Sequence, residues 1–282
     1  MKRMIVGADG SAGSANAMRW AAQLASRHGA ELVVMTGFVP TDPDLPTQQV
    51  EAQLAEQQER LEAWSSAASL GDLPVRCVVE RGDPREGIVR VAAREQADMI
   101  VVGRVGQSAG PGLLHIGSMA EWLAHHGDHP IAVVGGAVNT TIRSVLVGVD
   151  GSQGSRAALQ WVKELAAVAE VRIVVASVHQ PYVEWTPPTS SKNWRRGQED
   201  QIRQDFASDL TTDGVEFDAL ALRGSNAADA LLQAAADERT DIVVVGARGV
   251  GGFVGLRVGG VALKTLHRAD RPVVLIPLSK SQ

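Results

Sequence analysis

The sequence predicts an α/β protein built from two repeated, doubly wound domains, each a five-stranded parallel sheet flanked by helices. Three observations carry the prediction. The chain repeats itself: IVGADGS at 5–11 returns as LVGVDGS at 146–152 and Trp20 as Trp161, each 141 residues later, while Gly103 returns as Gly246 after 143 and Pro130 as Pro272 after 142. A repeat of that length describes architecture before function. The apolar segments are continuous Val and Ile runs, not alternating ones, so helices should cover both faces of each sheet. Strand-like and helix-like segments alternate along the chain, which implies right-handed crossovers between parallel strands.

The first half opens with a strand over 4–8, a turn at Asp9, Gly10 and Ser11, and a helix over 15–27 for which Ser11 is the N-cap. A second strand follows at 31–38, then a loop holding Pro40, Pro43 and Pro46, a polar Gln-rich helix over 48–68, and a third strand at 75–80. Asp83, Pro84 and Glu86 form a helix start: an acceptor at the cap, a proline where a missing N–H is harmless, and an acid in the first turn. That helix runs to about Gln96, and a strand at 99–102, a glycine loop, a helix over 117–126 and a strand at 131–134 complete the half. Residues 139–143 are a short polar linker, which sets the domains at 1–138 and 144–282. The second half repeats the order, with strands near 145–149, 172–178, 215–222, 242–245 and 273–276 and helices between them.

With 282 residues, each half is long enough to bury a core of its own. A net charge of −5, with no Lys or Arg run longer than two, leaves no electrostatic footprint for nucleic acid or for a polybasic membrane contact. Asp9 interrupts the N-terminal apolar run too early for a signal peptide, and Arg104 and Arg248 break the most apolar regions. A cytoplasmic protein without a membrane span is expected. Cys77, the one cysteine, sits in VRCVVE and reads as a small buried hydrophobe.

The stretch DIVVVGARGVGGFVGLRVGG at 241–260 joins a buried strand to a glycine-rich loop and a helix start, and DMIVVGRVGQSAGPGLLHIGS at 98–118 has the same layout. Glycines let the backbone approach a ligand closely, and first-turn N–H groups together with the helix dipole favour an anion, phosphate above all. Ligands of a doubly wound sheet sit at the carboxyl ends of its strands, so the DGS turn and the glycine loop converge on one pocket in each half. Other clusters carry no such chemistry. GGVALKT at 259–265 resembles a P-loop, but Leu263 stands where the glycine before Lys264 belongs. His125, His126 and His129 suit a helix C-terminus and lack a carboxylate or Cys partner, so no metal site is assigned. Ser11 and Ser152 lack a G-x-S-x-G elbow, so no catalytic residue is assigned. Trp185 and Trp194, in a loop read over 181–197, either pack on the neighbouring domain or form a partner surface.

A strand ending in VGxDGS, then a later strand leading into G-x2-G-x9-G-[ST] before the last helix, resembles the universal stress protein family in its tandem two-domain form, over nearly the whole chain. The resemblance implies ATP or another adenine nucleotide as the bound cofactor, although other members of the family hold none. It places Gly7, Ala8, Asp9 and Gly37 beside the loop and helix-start residues Gly103, Gly106, Gly117, Ser118 and Met119 in the first half. In the second half it places Gly148, Val149, Asp150 and Val178 beside Gly246, Arg248, Gly249, Gly259, Gly260 and Val261. Two readings stay open for Asp9 and Asp150, ligand contact or turn acceptor, and two for the glycines, a phosphate cradle or close packing of helix on strand. Arg248, whose first-half counterpart is Val105, is either a phosphate partner or a solvated side chain.

Both halves depart from the pattern. Gly260 stands where a hydroxyl residue is expected, a change worth about 1.5–3 kcal/mol if a hydrogen bond to a charged acceptor is lost. In the first half Ser118 supplies the hydroxyl, but ten residues separate Gly106 from Gly117, and Pro111 removes one loop N–H. Donor geometry therefore favours the second half. The function implied is a nucleotide-binding stress-response regulatory protein, with a nucleotide-free interaction module and a slow ATP hydrolase as alternatives. No base stands beside a nucleophile, so fast turnover is not expected. The resemblance further implies pairing through the last strand, satisfied by internal pseudo-twofold packing of the halves or shared with a second chain in a homodimer.

Overall fold

Five runs of aliphatic residues form the sheet of the first unit: β1 (Arg3–Gly7), β2 (Glu31–Phe38), β3 (Val75–Arg81), β4 (Met99–Gly103) and β5 (Ile131–Val134). The computed structural model describes residues 1–106, 116–135, 142–179, 191–250 and 257–278, and the chain divides into two compact units, Met1–Thr140 and Thr141–Gln282. The strands of the first unit lie in the order β3-β2-β1-β4-β5, every pair parallel. Met4, Ile5, Val6, Val33, Val34, Ile100 and Val101 are fully buried, as strands covered on both faces require. Helices α1 (Ala12–His28) and α2 (Thr47–Ala67) touch each other, as do α3 (Pro84–Arg94) and α4 (Ser118–His126), which gives each face of the sheet one pair. The chain leaves β1 toward β2 on one side and returns from β3 to β4 on the other. The carboxyl ends of β1 and β4 therefore open a crevice.

The second unit repeats this plan with β6 (Ser144–Gly148), β7 (Arg172–His179), β8 (Asp218–Arg223), β9 (Ile242–Gly246) and β10 (Val273–Ile276) in the order β8-β7-β6-β9-β10, again all parallel. Its helices are α5 (Gln153–Ala166), α6 (Ser191–Gln201), α7 (Ser208–Thr212), α8 (Ala227–Asp237) and α9 (Gly260–Arg268). Repeated acids fasten the starts of the central strands. Asp98 accepts the backbone N–H groups of Lys2 and Arg3 ahead of β4, and Asp241 those of Arg143 and Ser144 ahead of β9. Trp20 and Trp161 fill equivalent places in the two cores, and neither indole N–H has a hydrogen-bond partner among the described residues.

Two expectations need correction. Strand β8 begins at Asp218, not at 215. Val215 donates instead to the Leu210 carbonyl at 2.9 Å, closing the turn after α7, and the Arg203 guanidinium lies 5.0 Å over the Phe217 ring and donates to the Phe217 carbonyl. These contacts keep the three residues off the β7 edge. The loop read over 181–197 is helical from Ser191 onward, and the single helix α2 of the first unit is matched by α6, a π-helical stretch over Ile202–Phe206, and α7. The Ala207 N–H reaches back five residues to the Ile202 carbonyl, which widens the turn. Trp194 lies on α6 with the Arg223 guanidinium 3.9 Å from its ring centre and His179 edge-on at 5.5 Å, so it packs within its own unit. Trp185, Pro111 and most of the linker lie outside the described residues.

Candidate functional site

The turn after the first strand of each unit is built by its own side chains. Gly10 and Gly151 take φ of 78° and 79°, in the left-handed region that costs glycine nothing. Asp9 Oδ1 accepts the Ser11 N–H and Asp150 Oδ1 the Ser152 N–H, both at 3.0 Å. Ser11 and Ser152 in turn cap α1 and α5, each hydroxyl accepting the N–H three residues on at 3.1 Å.

The other carboxylate oxygen faces the glycine loop. Asp150 Oδ2 accepts the Val250 N–H at 2.9 Å, and the Ser152 hydroxyl donates to the Arg248 carbonyl at 3.3 Å. A Cβ on Gly249 would stand 2.4 Å from Asp150 Oδ2, and one on Gly106 2.5 Å from Asp9 Oδ2. A Cβ on Gly103 would meet the Gly13 carbonyl carbon at 2.7 Å, and one on Gly246 that of Gly154 at 2.4 Å. Close packing of helix on strand accounts for Gly103 and Gly246, and the aspartates account for Gly106 and Gly249, before any ligand is considered. Burial pushes the Asp150 carboxyl up, but the hydrogen bonds from Ser152, Val250 and Ser155 outweigh it and hold the group below the usual range.

The helix starts differ in kind from the turns. Gly117 and Gly259 are the N-caps of α4 and α9, and neither has a side chain to accept a first-turn N–H. Both helix ends thus turn donors and the positive end of a dipole toward the crevice.

Every residue that the family resemblance placed at a nucleotide site lines one of two crevices. Gly7, Ala8, Asp9, Gly37, Gly103, Gly106, Gly117, Ser118 and Met119 line a cavity of about 860 Å³ in the first unit. Gly148, Val149, Asp150, Val178, Gly246, Arg248, Gly249, Gly259, Gly260 and Val261 line one of about 370 Å³ in the second. Sequence reasoning missed a wall of the first cavity, made by Gln57, Arg60 and Trp64 of α2, and missed Arg85 beside Asp83 at the start of α3. The available signal was their spacing of three and seven residues, which puts all three α2 residues on one helix face. Arg85 grips Asp83 at two points, 3.1 and 2.6 Å, and holds its carboxyl down at about 2. In the second unit Leu231 and Lys264 were missed.

Outside the crevices, His126 stacks on Trp122 at 4.5 Å and its Nδ1 lies 2.8 Å from the Trp122 carbonyl oxygen, while Nδ1 of the half-buried His129 has no partner among the described residues. Among the described residues no three His, Cys, Asp or Glu side chains converge on a metal position. Burial pushes the half-buried Cys77 thiol up, against a hydrogen bond with Ser65. Among the described residues no helix is long and apolar enough to cross a membrane.

Fold and crevices together define a tandem, doubly wound α/β protein with one open switch point in each unit. The sequence model of the universal stress protein family matches residues 1–135 and again 141–277. A universal stress protein of Mycolicibacterium smegmatis is 28% identical over 97% of this chain and 96% of its own, and one of Thermus aquaticus is 28% identical over 48% of this chain and 98% of its own. The crystal structure of a universal stress protein from Archaeoglobus fulgidus superposes with a TM-score of 0.71 at 19% identity, covering 97% of each chain. The chain belongs to the universal stress protein family.

Proposed function

We propose that the protein is a stress-response regulatory protein that binds ATP or a related adenine nucleotide in the crevice of each unit. The observation that carries this is the convergence, twice in one chain, of a DGS turn, the end of the neighbouring strand and a helix start with no side-chain cap. A nucleoside against the strand end and an anion on the helix start would satisfy donors that are otherwise left to solvent. The larger volume and the Ser118 hydroxyl support the first unit as the stronger site, against the preference drawn from loop spacing alone. The test is to denature the purified protein, chromatograph what it releases, and titrate the stripped protein with ATP by calorimetry. Absence of both released nucleotide and heat of binding at millimolar ATP would sink the reading.

One observation favours a second reading. In the second unit Asp150 already occupies the Val250 N–H, a loop donor that a phosphate would otherwise use. A nucleotide-free interaction module is the reading that this supports, and it predicts no binding to the second unit at any concentration. A slow ATP hydrolase would show itself as phosphate release well above background in the same preparation.

A further inference from the structure

The two crevices are unequal, and the difference lies in one wall. In the first unit α2 runs along the opening from Gln57, 3.5 Å from Thr36 at the end of β2, to Trp64, whose indole packs where a Cβ on Gly10 would stand, 2.6 Å away. Seven residues of helix make that wall about 10 Å long. Arg60 stands between them, paired among the described residues with Glu56 in an exposed contact one turn back, an interaction weak enough to be exchanged for a ligand. In the second unit the position equivalent to Trp64 is Phe206, which covers Gly151 in the same way. One residue is inserted at the π-helical turn, so the fully buried Ile202 matches the fully buried Leu61, and the uncharged Gln201 stands in the place of Arg60. Among the described residues nothing from α6, the π-helical stretch or α7 lines the second crevice, which has less than half the volume of the first.

The nucleotide reading above calls on the strand ends, the glycine loop and the helix start, and makes no use of this wall. The wall offers an indole, a guanidinium and a carboxamide, which suit a planar ring, a phosphate bridge and a ring edge. We propose that the first crevice takes a dinucleoside polyphosphate, with Trp64 stacking on the second base and Arg60 on the phosphate bridge, while the second crevice takes mononucleotides alone. This rests on the nucleotide reading above.

The experiment titrates the full chain with AMP, ATP and diadenosine tetraphosphate, in wild type and in Trp64→Ala, Arg60→Ala and Glu56→Ala. Stacking of one base supports roughly a fivefold to 150-fold gain. Diadenosine tetraphosphate should therefore bind at one site per chain about tenfold or more tighter than AMP. That ratio should shrink in Trp64→Ala and Arg60→Ala and widen in Glu56→Ala, which frees the guanidinium. Arg60 is exposed on its helix, so its variant reports even if Trp64→Ala melts early. A ratio near one in wild type, or one untouched by both alanine variants, overturns the proposal and leaves mononucleotide binding intact. So does ATP binding as tightly as the dinucleotide, since charge alone would then explain the gain. If none of the three ligands binds, the nucleotide reading fails first and takes this one with it.

Discussion

A single hydroxyl separates the two helix starts: Ser118 opens α4 and Gly260 opens α9. Among the described residues nothing lies within 4 Å of a Cβ built on Gly260, so the second unit can accept the missing group without strain from them. Gly260→Ser is expected to raise nucleotide affinity in the second crevice by about ten- to 150-fold, the equivalent of 1.5–3 kcal/mol, with melting temperature nearly unchanged. Calorimetric titration reads the first and thermal unfolding the second. Gly249 is a different case, because its Cβ would strike the Asp150 carboxylate. Gly249→Ala should destabilise the ligand-free protein by about 1–3 kcal/mol, and adding Asp150→Ala should recover part of the loss. A double-mutant cycle by urea unfolding measures that coupling, and strict additivity would contradict it.

Between elements, the hydroxyl caps tie helix to loop. Ser11→Ala should cost about 1 kcal/mol through the lost cap of α1. Ser152→Ala should cost more, because the same hydroxyl also donates to the Arg248 carbonyl and so holds the glycine loop. Unfolding of both variants compared with wild type gives the difference. The elements themselves were largely legible in the sequence: β2 and β10 fall on 31–38 and 273–276, because runs such as Glu31–Phe38 have no other way to bury Val33 and Val34. Three things were not legible. Residues 215–217 look like strand, yet a turn bond to Leu210 and the Arg203 cation claim them, and both partners are remote from the local pattern. The break after α6 depends on which carbonyl the Ala207 N–H reaches. The α2 wall was hidden because a helix facing a polar crevice carries no apolar stripe, and the contact of Asp9 with Gly106 exists only across space.

For the molecule as a whole, acid should act in two stages. Burial lowers His129, and burial followed by the nearby Arg223 charge lowers His179, both from an ordinary 6.5. The folded form therefore resists a proton that the unfolded chain accepts, and stability is lost as pH falls from 6.5 toward the folded values. The carboxylates come next. Glu95 is held low by hydrogen bonds from Arg76, and Glu80, despite burial that raises it, by Arg94 and Arg90, both from 4.5. Together with Asp150 they withdraw their stabilisation as pH falls below about 4. Calorimetry from pH 7 to pH 3 should show melting temperature declining along both limbs, with His129→Gln flattening part of the upper one. A profile level from 7 down to 5 would contradict the histidine assignment.

The buried indoles of Trp20 and Trp161 give each unit a built-in optical reporter. Shielded from water and with no acceptor for their N–H among the described residues, they should emit at short wavelength in the native state and shift red as their surroundings open. Two chains, each keeping one of these tryptophans and no other, would let each half announce its own collapse or rupture by colour.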